Sequence, residues 1–491
     1  MISPVPLRSL KRTYFFSAVS AVIGIVYPIV TLAYVARVLG PGALGKYYFA
    51  FSLASYFLFA ASLGIPLYGI REIGAARGNL PELRRIFSQL FFINSFSSIF
   101  FALVYGIVVL SVPNFRAEIA LLGIFGLLFL NNIFNFDYLY AGLERQDQIA
   151  YRSLISKLAS MALIFALVRN EGDYLWFAGI TVFSLVINSA LALNGLKYWA
   201  GLKEIAKTSS LRRHIRPILL IALSTAFINV YINLDSVILG LMRKPHEVGL
   251  YNAAVKPCRL IAALLSTVLI AALPRLSYYV AGGVEVHVQQ NLKRRSLELL
   301  LMFAIPISLT LAVSAGPLVQ LMYGPEFSEA APSLVLASPL LLLNCLAAFH
   351  LFQVVIPLGK EVFLVYVAMA GAIISVALNL ILIPILGYQG AVIAALIAEV
   401  ATIVISVILI RSEGRDFLVF PKQVWKHLVA GGLLALVQIL LLPATHGSLP
   451  LLAAMWVASA AVYGVSLWFM RETLVLQVSD RLVEYLKPRR L

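Results

Sequence analysis

Apolar runs long enough to cross a lipid bilayer recur along the whole chain, and no other feature constrains its fold as strongly. A helix needs about 20 consecutive apolar residues to span the hydrocarbon core. Only 12% of the 491 residues are charged, too few to cover a soluble protein of this size. The runs predict an all-α integral membrane protein with about 14 transmembrane helices. They lie at residues 13–36, 47–69, 87–112, 119–140, 154–168, 174–196, 217–241, 251–274, 297–322, 333–358, 362–386, 390–410, 424–442 and 450–469.

Basic residues between the runs set the expected orientation. Cytoplasmic loops of membrane proteins are enriched in Lys and Arg. If the N-terminus is cytoplasmic, most of the 38 Lys and Arg residues fall on the cytoplasmic side. We therefore expect a multi-pass protein of the cell (cytoplasmic or inner) membrane with both termini in the cytoplasm. The net charge of +16 is spread over these gaps, so no nucleic-acid partner is expected.

Short motifs occur twice in the same order. After the first run comes "PGALGKY" (41–47) and after the seventh comes "PHEVGLY" (245–251), both of the form P-x-x-x-G-x-Y. Six spans return the chain to the side on which it started, so the halves are predicted to be parallel repeats, an arrangement found in transporters. The later pairs are Arg84-Arg85 with Arg294-Arg295, "LFLN" ending at Asn131 with "LLLN" ending at Asn344, and "AGLER" (141–145) with "PLGKE" (357–361).

The repeat divides the chain into predicted domains. Two pseudo-symmetric lobes of six helices are expected, followed by two runs that have no counterpart in the first half. The predicted limits are 1–200 for the N-terminal lobe, 217–412 for the C-terminal lobe, 424–470 for an accessory helix pair and 471–491 for a cytoplasmic tail.

An ordered set of segments resembles the Wzx-type polysaccharide flippases (O-antigen and exopolysaccharide) of the multidrug/oligosaccharidyl-lipid/polysaccharide exporter superfamily. The resemblance covers about residues 10 to 412 and is specific to the family, not to a substrate. The segments are "RVLGPGALGKYYFAFSLASYFLFAASLGIPLYGIREIG" (37–74), "NLDSVILG" (233–240), "EVGLYNAAVK" (247–256), "YGPEF" (323–327) and "LGKE" (358–361).

The resemblance implies a V-shaped, MATE-like bundle that moves an undecaprenyl-pyrophosphate-linked oligosaccharide from the cytoplasmic to the outer leaflet by alternating access. It implies H+ or Na+ as the coupling ion and polysaccharide polymerase machinery as a candidate partner. The related lipid II flippase has an extra helix pair, thought to hold the lipid tail. Contacts with membrane lipids are expected through Arg212, Arg213 and Arg216.

Two cations inside the eighth run are the main candidates for substrate binding. Lys256 and Arg259 are three residues apart, hence on one helix face, and Asn252 and Ser266 continue this polar stripe. Charges within spans usually face a protein interior or a water-filled cavity, where they would offset the cost of moving a pyrophosphate through a low-dielectric region. The alternative is snorkelling to the bilayer surface, which suits Lys256 better than Arg259.

Polar residues in three runs are candidates for ion coupling or for lining a cavity. An intramembrane carboxylate such as Asp235 can alternate between a proton or sodium ion and a cationic partner; alternatively, it only cancels the charge of Lys256 or Arg259. His350 can titrate near neutral pH or serve only in packing. The candidates are Asp235 and Asn233 in the seventh run, Asn131 and Asp137 in the fourth, and His350 and Gln353 in the tenth.

Four residues of the first two runs complete the candidate site. Pro28, with Gly24 one turn earlier, predicts a kinked helix that acts as a hinge. Arg37 and Arg71 cap the first two runs on opposite sides of the membrane. Each is interpreted as an interfacial anchor, or, for Arg71, as a contact of the entering pyrophosphate.

Other function classes fit the sequence less well. The segment "GPGALGKY" (40–47) resembles a nucleotide-binding loop but has Tyr in place of the Ser or Thr that binds magnesium. No catalytic residue, cofactor or metal is therefore expected. An organic-cation antiporter of the same fold would favour an acidic or apolar cavity. A membrane glycosyltransferase or O-antigen polymerase would need a sizeable outer loop, and a structural scaffold would gain nothing from intramembrane charges.

Overall fold

The structure is a computed structural model that describes residues 10–199, 211–281, 285–358, 361–411, 423–445, 447–472 and 475–476. Over these ranges the backbone is helical and contains no β-strand. The α-helices are α1 (Leu10–Ser62), α2 (Ile65–Ala76), α3 (Leu80–Ser111), α4 (Ile119–Ile133), α5 (Asp137–Gly142), α6 (Gln146–Leu167), α7 (Tyr174–Trp199), α8 (Arg212–Met242), α9 (Pro245–Ala281), α10 (Val286–Val313), α11 (Ala315–Tyr323), α12 (Ala330–Phe349), α13 (Glu361–Leu386), α14 (Tyr388–Arg411), α15 (Val424–Leu441) and α16 (Leu449–Phe469). Short 3-10 helices lie at Pro113–Glu118, Glu171–Asp173, Pro325–Phe327 and Leu442–Thr445, and a π-helix lies at His350–Val355.

The helices agree with the predicted spans. Twelve stretches of the described residues are long and apolar enough to cross a membrane. One of them, Tyr27–Ala76, contains the end of the first predicted span and all of the second, while α8, which covers the seventh, is not among the twelve. The all-α membrane fold is confirmed, whereas the number of about 14 spans stays a prediction.

The long helix α1 is interrupted at Gly40. This residue has φ 68° and ψ 175°, a conformation essentially restricted to glycine. Pro41 follows and lacks the N–H that a continuous helix would use. The interruption separates the first predicted span from the second, so α1 supplies both.

Lipid-facing and buried sides of α3 have the polarity expected of a membrane helix. Phe96, Leu103 and Ile107 are exposed. Asn94 and Ser98 are buried on the other side of the same helix. A soluble helix would show the reverse pattern, so the exposed face of α3 is suited to contact lipid.

Backbone contacts divide the chain into two compact units, Met1–Gly249 and Leu250–Leu491. Within the first unit, α1 packs on α3, α4, α6 and α8, and α2 packs on α3, α5 and α8. Small residues permit this packing: Gly69 of α2 faces the Tyr138 ring, and Gly142 of α5 faces Ile73. Helix α8 thus packs with the first unit although the repeat assigns it to the second half, and the predicted lobe limits stay predictions.

The accessory helices α15 and α16 form an antiparallel pair within the second unit. They pack on each other, and α15 also packs on α10. Gly431 of α15 faces the Leu309 side chain of α10. The Gln438 amide donates to Thr310 Oγ1 and Ser459 Oγ, each over 2.9 Å. This amide therefore links three helices inside an otherwise apolar interface.

The two copies of the P-x-x-x-G-x-Y motif meet inside the first unit, to which residues 41–45 and 245–249 both belong. A Cβ atom on Gly45 would overlap the carbonyl of Pro245. A Cβ atom on Gly249 would likewise overlap the carbonyl of Pro41. This reciprocal contact is the one expected of two repeats related by a pseudo-two-fold axis.

Candidate functional site

Lys256 and Arg259 lie in the first half of α9, in a stretch apolar enough to cross a membrane. Both side chains are half-buried. Asn252 and Ser266 are buried, and the Ser266 hydroxyl donates to the Ala262 carbonyl over 2.7 Å. The polar stripe predicted from spacing is therefore present on one helix, and the role of its cations stays a prediction.

Asp235 is buried near the end of α8, with about 1% of its surface exposed. It belongs to the first compact unit, whereas Lys256 and Arg259 belong to the second. The side chain of Asn233 lies outside the described part of the structure. Pairing of Asp235 with Lys256 or Arg259 stays a prediction.

The polar centre of the fourth predicted span is Asn132, one residue after the predicted Asn131. The Asn132 amide donates to Asn94 Oδ1 and Ser98 Oγ over 3.2 and 2.9 Å. Its Oδ1 accepts from the Ser62 hydroxyl over 3.1 Å, so the side chain joins α1, α3 and α4. Asn131 is half-buried, and its Oδ1 has no hydrogen-bond partner among the described residues.

Asp137 begins α5 and is paired with a basic residue that lies before the predicted fifth span. Arg152 Nη2 donates to Asp137 Oδ1 over 3.0 Å. The predicted fifth span starts at residue 154, but α6 starts at Gln146, so Arg152 lies in the helix and is buried. The helix thus extends eight residues beyond the predicted start of the span, because the polar first turns of α6 conceal its helical start; the cytoplasmic side of this region stays a prediction.

Arg37 and Arg71 are exposed at helix surfaces. Arg71 Nη2 lies 3.0 Å from Glu72 Oε1, and its guanidinium is 5.1 Å from the ring centre of Tyr68. Arg37 lies three residues before the break at Gly40. Both positions suit interfacial anchors, and a role of either residue in substrate binding stays a prediction.

His350 and Gln353 lie in the π-helix that continues α12. Gln353 is fully buried, and its amide donates to the Leu269 carbonyl of α9 over 2.8 Å. The Nδ1 atom of His350 is buried and has no hydrogen-bond partner among the described residues. Gln353 therefore fixes α9 against the π-helix, a structural contact that the sequence did not reveal.

Pro28 and Gly24 lie in α1, before its interruption. The described part of α1 departs from helical dihedral angles at Gly40, not at Pro28. A Cβ atom on Gly24 would approach Lys157 Nζ to 3.9 Å, so α6 presents a half-buried cation to this part of α1. A hinge at Pro28 stays a prediction, and the backbone break lies further along the helix.

Sequence reasoning missed a buried cluster at the start of α8. His214 Nδ1 is hydrogen-bonded to the Tyr68 hydroxyl over 2.7 Å, and its Nε2 to Gln89 Oε1 over 2.8 Å. Arg213 Nη2 lies 3.1 Å from Glu82 Oε1. Arg213 contacts this protein cluster and is still partly exposed, so its expected contact with lipid head groups stays a prediction. Burial, and then the Arg213 cation, lower the pKa of His214, which precedes the predicted span 217–241.

Sequence reasoning also missed buried polar residues on α13 and α14, two helices that pack on each other. Glu399 and Asn379 are buried, each within a stretch apolar enough to cross a membrane. The Asn379 amide donates to the Ser375 carbonyl and hydroxyl over 2.8 and 3.2 Å. A carboxylate in an apolar run was the available sequence signal, because such residues are rare in membrane spans.

An apolar cavity of about 570 Å³ lies against the accessory helices. Its walls include Phe303 of α10, Leu434 of α15 and Trp456 of α16. The walls are predominantly apolar, which suits a hydrocarbon ligand. Over the described ranges, no group of three or more His, Cys, Asp and Glu side chains is placed to hold a metal ion.

These features define an all-α membrane protein of the transporter type, in which charged side chains lie inside apolar helices. Comparison with known proteins then identifies its family. The model of the family described as "Polysaccharide biosynthesis protein" matches residues 10–280, and the chain belongs to this family.

Individual proteins are also similar to the chain. A protein of Escherichia coli (strain K12) that carries the provisional name O-antigen transporter is 25% identical over 409 residues, which cover 82% of this chain and 97% of that protein. A structure of the lipid II flippase MurJ in an inward closed conformation gives a TM-score of 0.64 at 15% identity, covering 92% of this chain and 99% of that one. A structure of an inward-facing multidrug resistance MATE transporter of the MOP superfamily gives a TM-score of 0.56 at 14% identity. The match covers 79% of this chain and 93% of that one. The two structural likenesses establish a MATE-like fold.

Proposed function

We propose that this protein is a flippase that moves a polyprenyl-pyrophosphate-linked oligosaccharide from the cytoplasmic to the outer leaflet of the cell membrane. The observation that carries the proposal is the pair Lys256 and Arg259, two cations within a helix apolar enough to cross the bilayer. Family membership and the similarity to the Escherichia coli protein favour a lipid-linked glycan as the substrate.

The cations would act on the substrate's charged group. A pyrophosphate diester carries about two negative charges, which oppose its passage through a low-dielectric region. Arg259 can hold two phosphate oxygens with its planar guanidinium, whereas Lys256 provides a compact positive charge. Alternating access would then carry the bound pyrophosphate across the membrane together with the attached glycan.

The hydrocarbon tail needs a different environment. The cavity between α10, α15 and α16 is apolar and lies against the accessory helices. We propose that it accommodates part of the polyprenyl chain during transport. Separate places for tail and head group would let the tail stay in apolar surroundings while the charged end crosses.

An ion gradient is the proposed source of energy, with H+ or Na+ as the coupling ion. Asp235 is a buried carboxylate in α8 and is the proposed binding group for the coupling ion. The protein is a transporter rather than an enzyme, and polysaccharide polymerase machinery is a proposed partner. Both termini are proposed to be cytoplasmic, because this orientation places most Lys and Arg residues inside.

An organic-cation antiporter remains the alternative, and the MATE-like fold is compatible with it. The two cations of α9 disfavour it, because they would repel a positively charged substrate. A glycosyltransferase or polymerase is disfavoured by membership in a family whose fold is that of transporters.

Reconstitution in vesicles tests the proposal. Purified protein should accelerate the appearance of a pyrophosphate-linked oligosaccharide in the opposite leaflet, where an impermeant glycosidase can digest it. Empty vesicles are the control, and a fluorescent organic cation is the competing substrate. Transport of the cation without movement of the glycan lipid would favour the antiporter and overturn the flippase.

A further inference from the structure

A buried arginine in the first unit has fewer partners than its donors require. Arg152 has 5% of its side chain exposed, and its Nη2 lies 3.0 Å from Asp137 Oδ1. Its Nε donates to the Gln148 carbonyl over 3.2 Å, and its guanidinium lies 4.3 Å from the ring centre of Tyr140. Its Nη1 is buried and has no hydrogen-bond partner among the described residues. The Nη1 side of the guanidinium therefore makes no hydrogen bond to the described residues.

An unused donor on a buried cation calls for a physical reason. A guanidinium carries five N–H donors, and each one left unsatisfied in the interior costs free energy. Charged residues within membrane spans usually mark a pathway for a substrate or an ion. The arrangement therefore indicates a ligand that presents acceptor oxygens to both Nη1 and Nη2, whereas Asp137 bonds to Nη2 alone.

Asp137 is placed where such a ligand would arrive. Its side chain is 41% exposed while the Arg152 side chain behind it is 5% exposed. The Asn188 side chain of α7 contacts the same carboxylate. An anion that binds the Arg152 guanidinium therefore competes with Asp137 for Nη2.

We propose that Arg152 is a phosphate-binding residue of the flippase and that Asp137 occupies its guanidinium until the substrate's pyrophosphate displaces it. The inference rests on the proposed function. A phosphate can accept from Nη1 and Nη2 together, which a single Asp137 oxygen does not. The Tyr140 ring supports the guanidinium from its face in either state.

The position along the chain makes this a site for substrate entry. Asp137 at the start of the short helix α5 and Arg152 in the second turn of α6 lie on either side of the connection between these helices, which the proposed orientation places on the cytoplasmic side. Arg77 Nη1 lies 2.6 Å from Glu144 Oε1 and holds this connection against the end of α2. Arg152 would therefore receive the pyrophosphate on the side where the lipid-linked glycan is made, whereas Lys256 and Arg259 lie on a different helix.

Equilibrium binding of geranylgeranyl pyrophosphate to the full-length protein in detergent tests the inference. Arg152→Gln should weaken binding by about tenfold or more, because a charge-assisted pair of hydrogen bonds is lost. Asp137→Ala should strengthen it several-fold, because the competing carboxylate is gone. A merely structural ion pair predicts no gain of affinity in Asp137→Ala. Geranylgeraniol, which lacks phosphate, should bind the wild type and both variants equally.

Two further variants keep the test decisive. Asp137→Asn combined with Arg152→Gln removes both charges without burying a lone one, and should fold yet bind the pyrophosphate as weakly as Arg152→Gln. Arg169→Gln removes an exposed arginine just beyond the other end of α6 and should match the wild type. Wild-type affinity in the double variant, or no gain in Asp137→Ala, would overturn the inference while leaving the proposed function intact. Failure of the wild-type protein to prefer the pyrophosphate over the alcohol would instead count against the proposed function, and the inference would fall with it.

Discussion

The two repeats agree at their P-x-x-x-G-x-Y motifs and differ in their interiors. At the motifs, Gly45 and Gly249 each approach the other copy's proline carbonyl. In the interior, the fourth predicted span breaks between α4 and α5 and presents Asp137 to Arg152. The corresponding tenth span continues without a break as a π-helix, in which the neutral Gln353 binds a backbone carbonyl.

This difference separates positions at which the two copies must match from positions at which they differ. Close backbone contacts leave no space for a side chain, so both copies keep glycine. At interior polar positions, one copy can have a charged residue where the other has a neutral one, provided that each buried group has hydrogen-bond partners. The two copies therefore share the glycine contact and differ in their interior polar groups, and the ion pair of the first unit has no counterpart at Gln353.

Parallel repeats require both halves to start on the same side of the membrane. Thiol labelling tests this, because each introduced cysteine either reacts with an impermeant reagent or does not. In intact cells, Ser328→Cys should react with an impermeant thiol reagent and Gly78→Cys should not. Cys258 and Cys345 are buried and give a low background. A Cβ atom on Gly78 meets nothing within 4 Å, so the substitution is harmless to folding. Labelling of Gly78→Cys from outside would invert the proposed topology.

The shared glycine contact predicts the next largest effect. Gly45→Ala and Gly249→Ala should each destabilise the protein by about 2–3 kcal/mol, because backbone must move to admit the methyl group. Gly42→Ala is the matched control, since a Cβ atom there meets nothing within 4 Å. Thermal unfolding in detergent measures the difference. Equal stability of Gly45→Ala and Gly42→Ala would contradict the contact between the repeats.

The hydrogen bonds inside the first unit predict a smaller loss of stability, which should differ between the adjacent residues Asn131 and Asn132. Asn132→Ala should cost about 1–2 kcal/mol, because it removes hydrogen bonds that join α1, α3 and α4. Asn131→Ala should cost clearly less. The measurement is again thermal unfolding, with both variants in the same detergent. A larger loss in Asn131→Ala would show that the hydrogen-bond network is centred elsewhere.

Sequence alone predicted the helices because hydrophobic length is a direct consequence of bilayer thickness. It also predicted the membrane fold and the family, while the limits of the two halves stay predictions. It could not separate Asn131 from Asn132, because adjacent residues point about 100° apart on a helix and an apolar run does not reveal which side is buried. It began the fifth span at residue 154, after Arg152, because the polar first turns of α6 resemble a connection. Partners such as Asp137 with Arg152 depend on helix packing, which residue spacing does not specify.

The central claim is that fixed cations inside the membrane carry the pyrophosphate of a lipid-linked glycan. The most direct test is the rate of glycan-lipid translocation in vesicles, normalised to folded protein, for Lys256→Gln and Arg259→Gln. We expect Arg259→Gln to lose about tenfold or more, since charge-assisted hydrogen bonds contribute about 1.5–3 kcal/mol each. Lys256→Gln should lose less, and Lys256→Arg should keep much of the rate because it keeps the charge. Rates close to the wild type in both Gln variants would contradict the claim and return these residues to the bilayer surface.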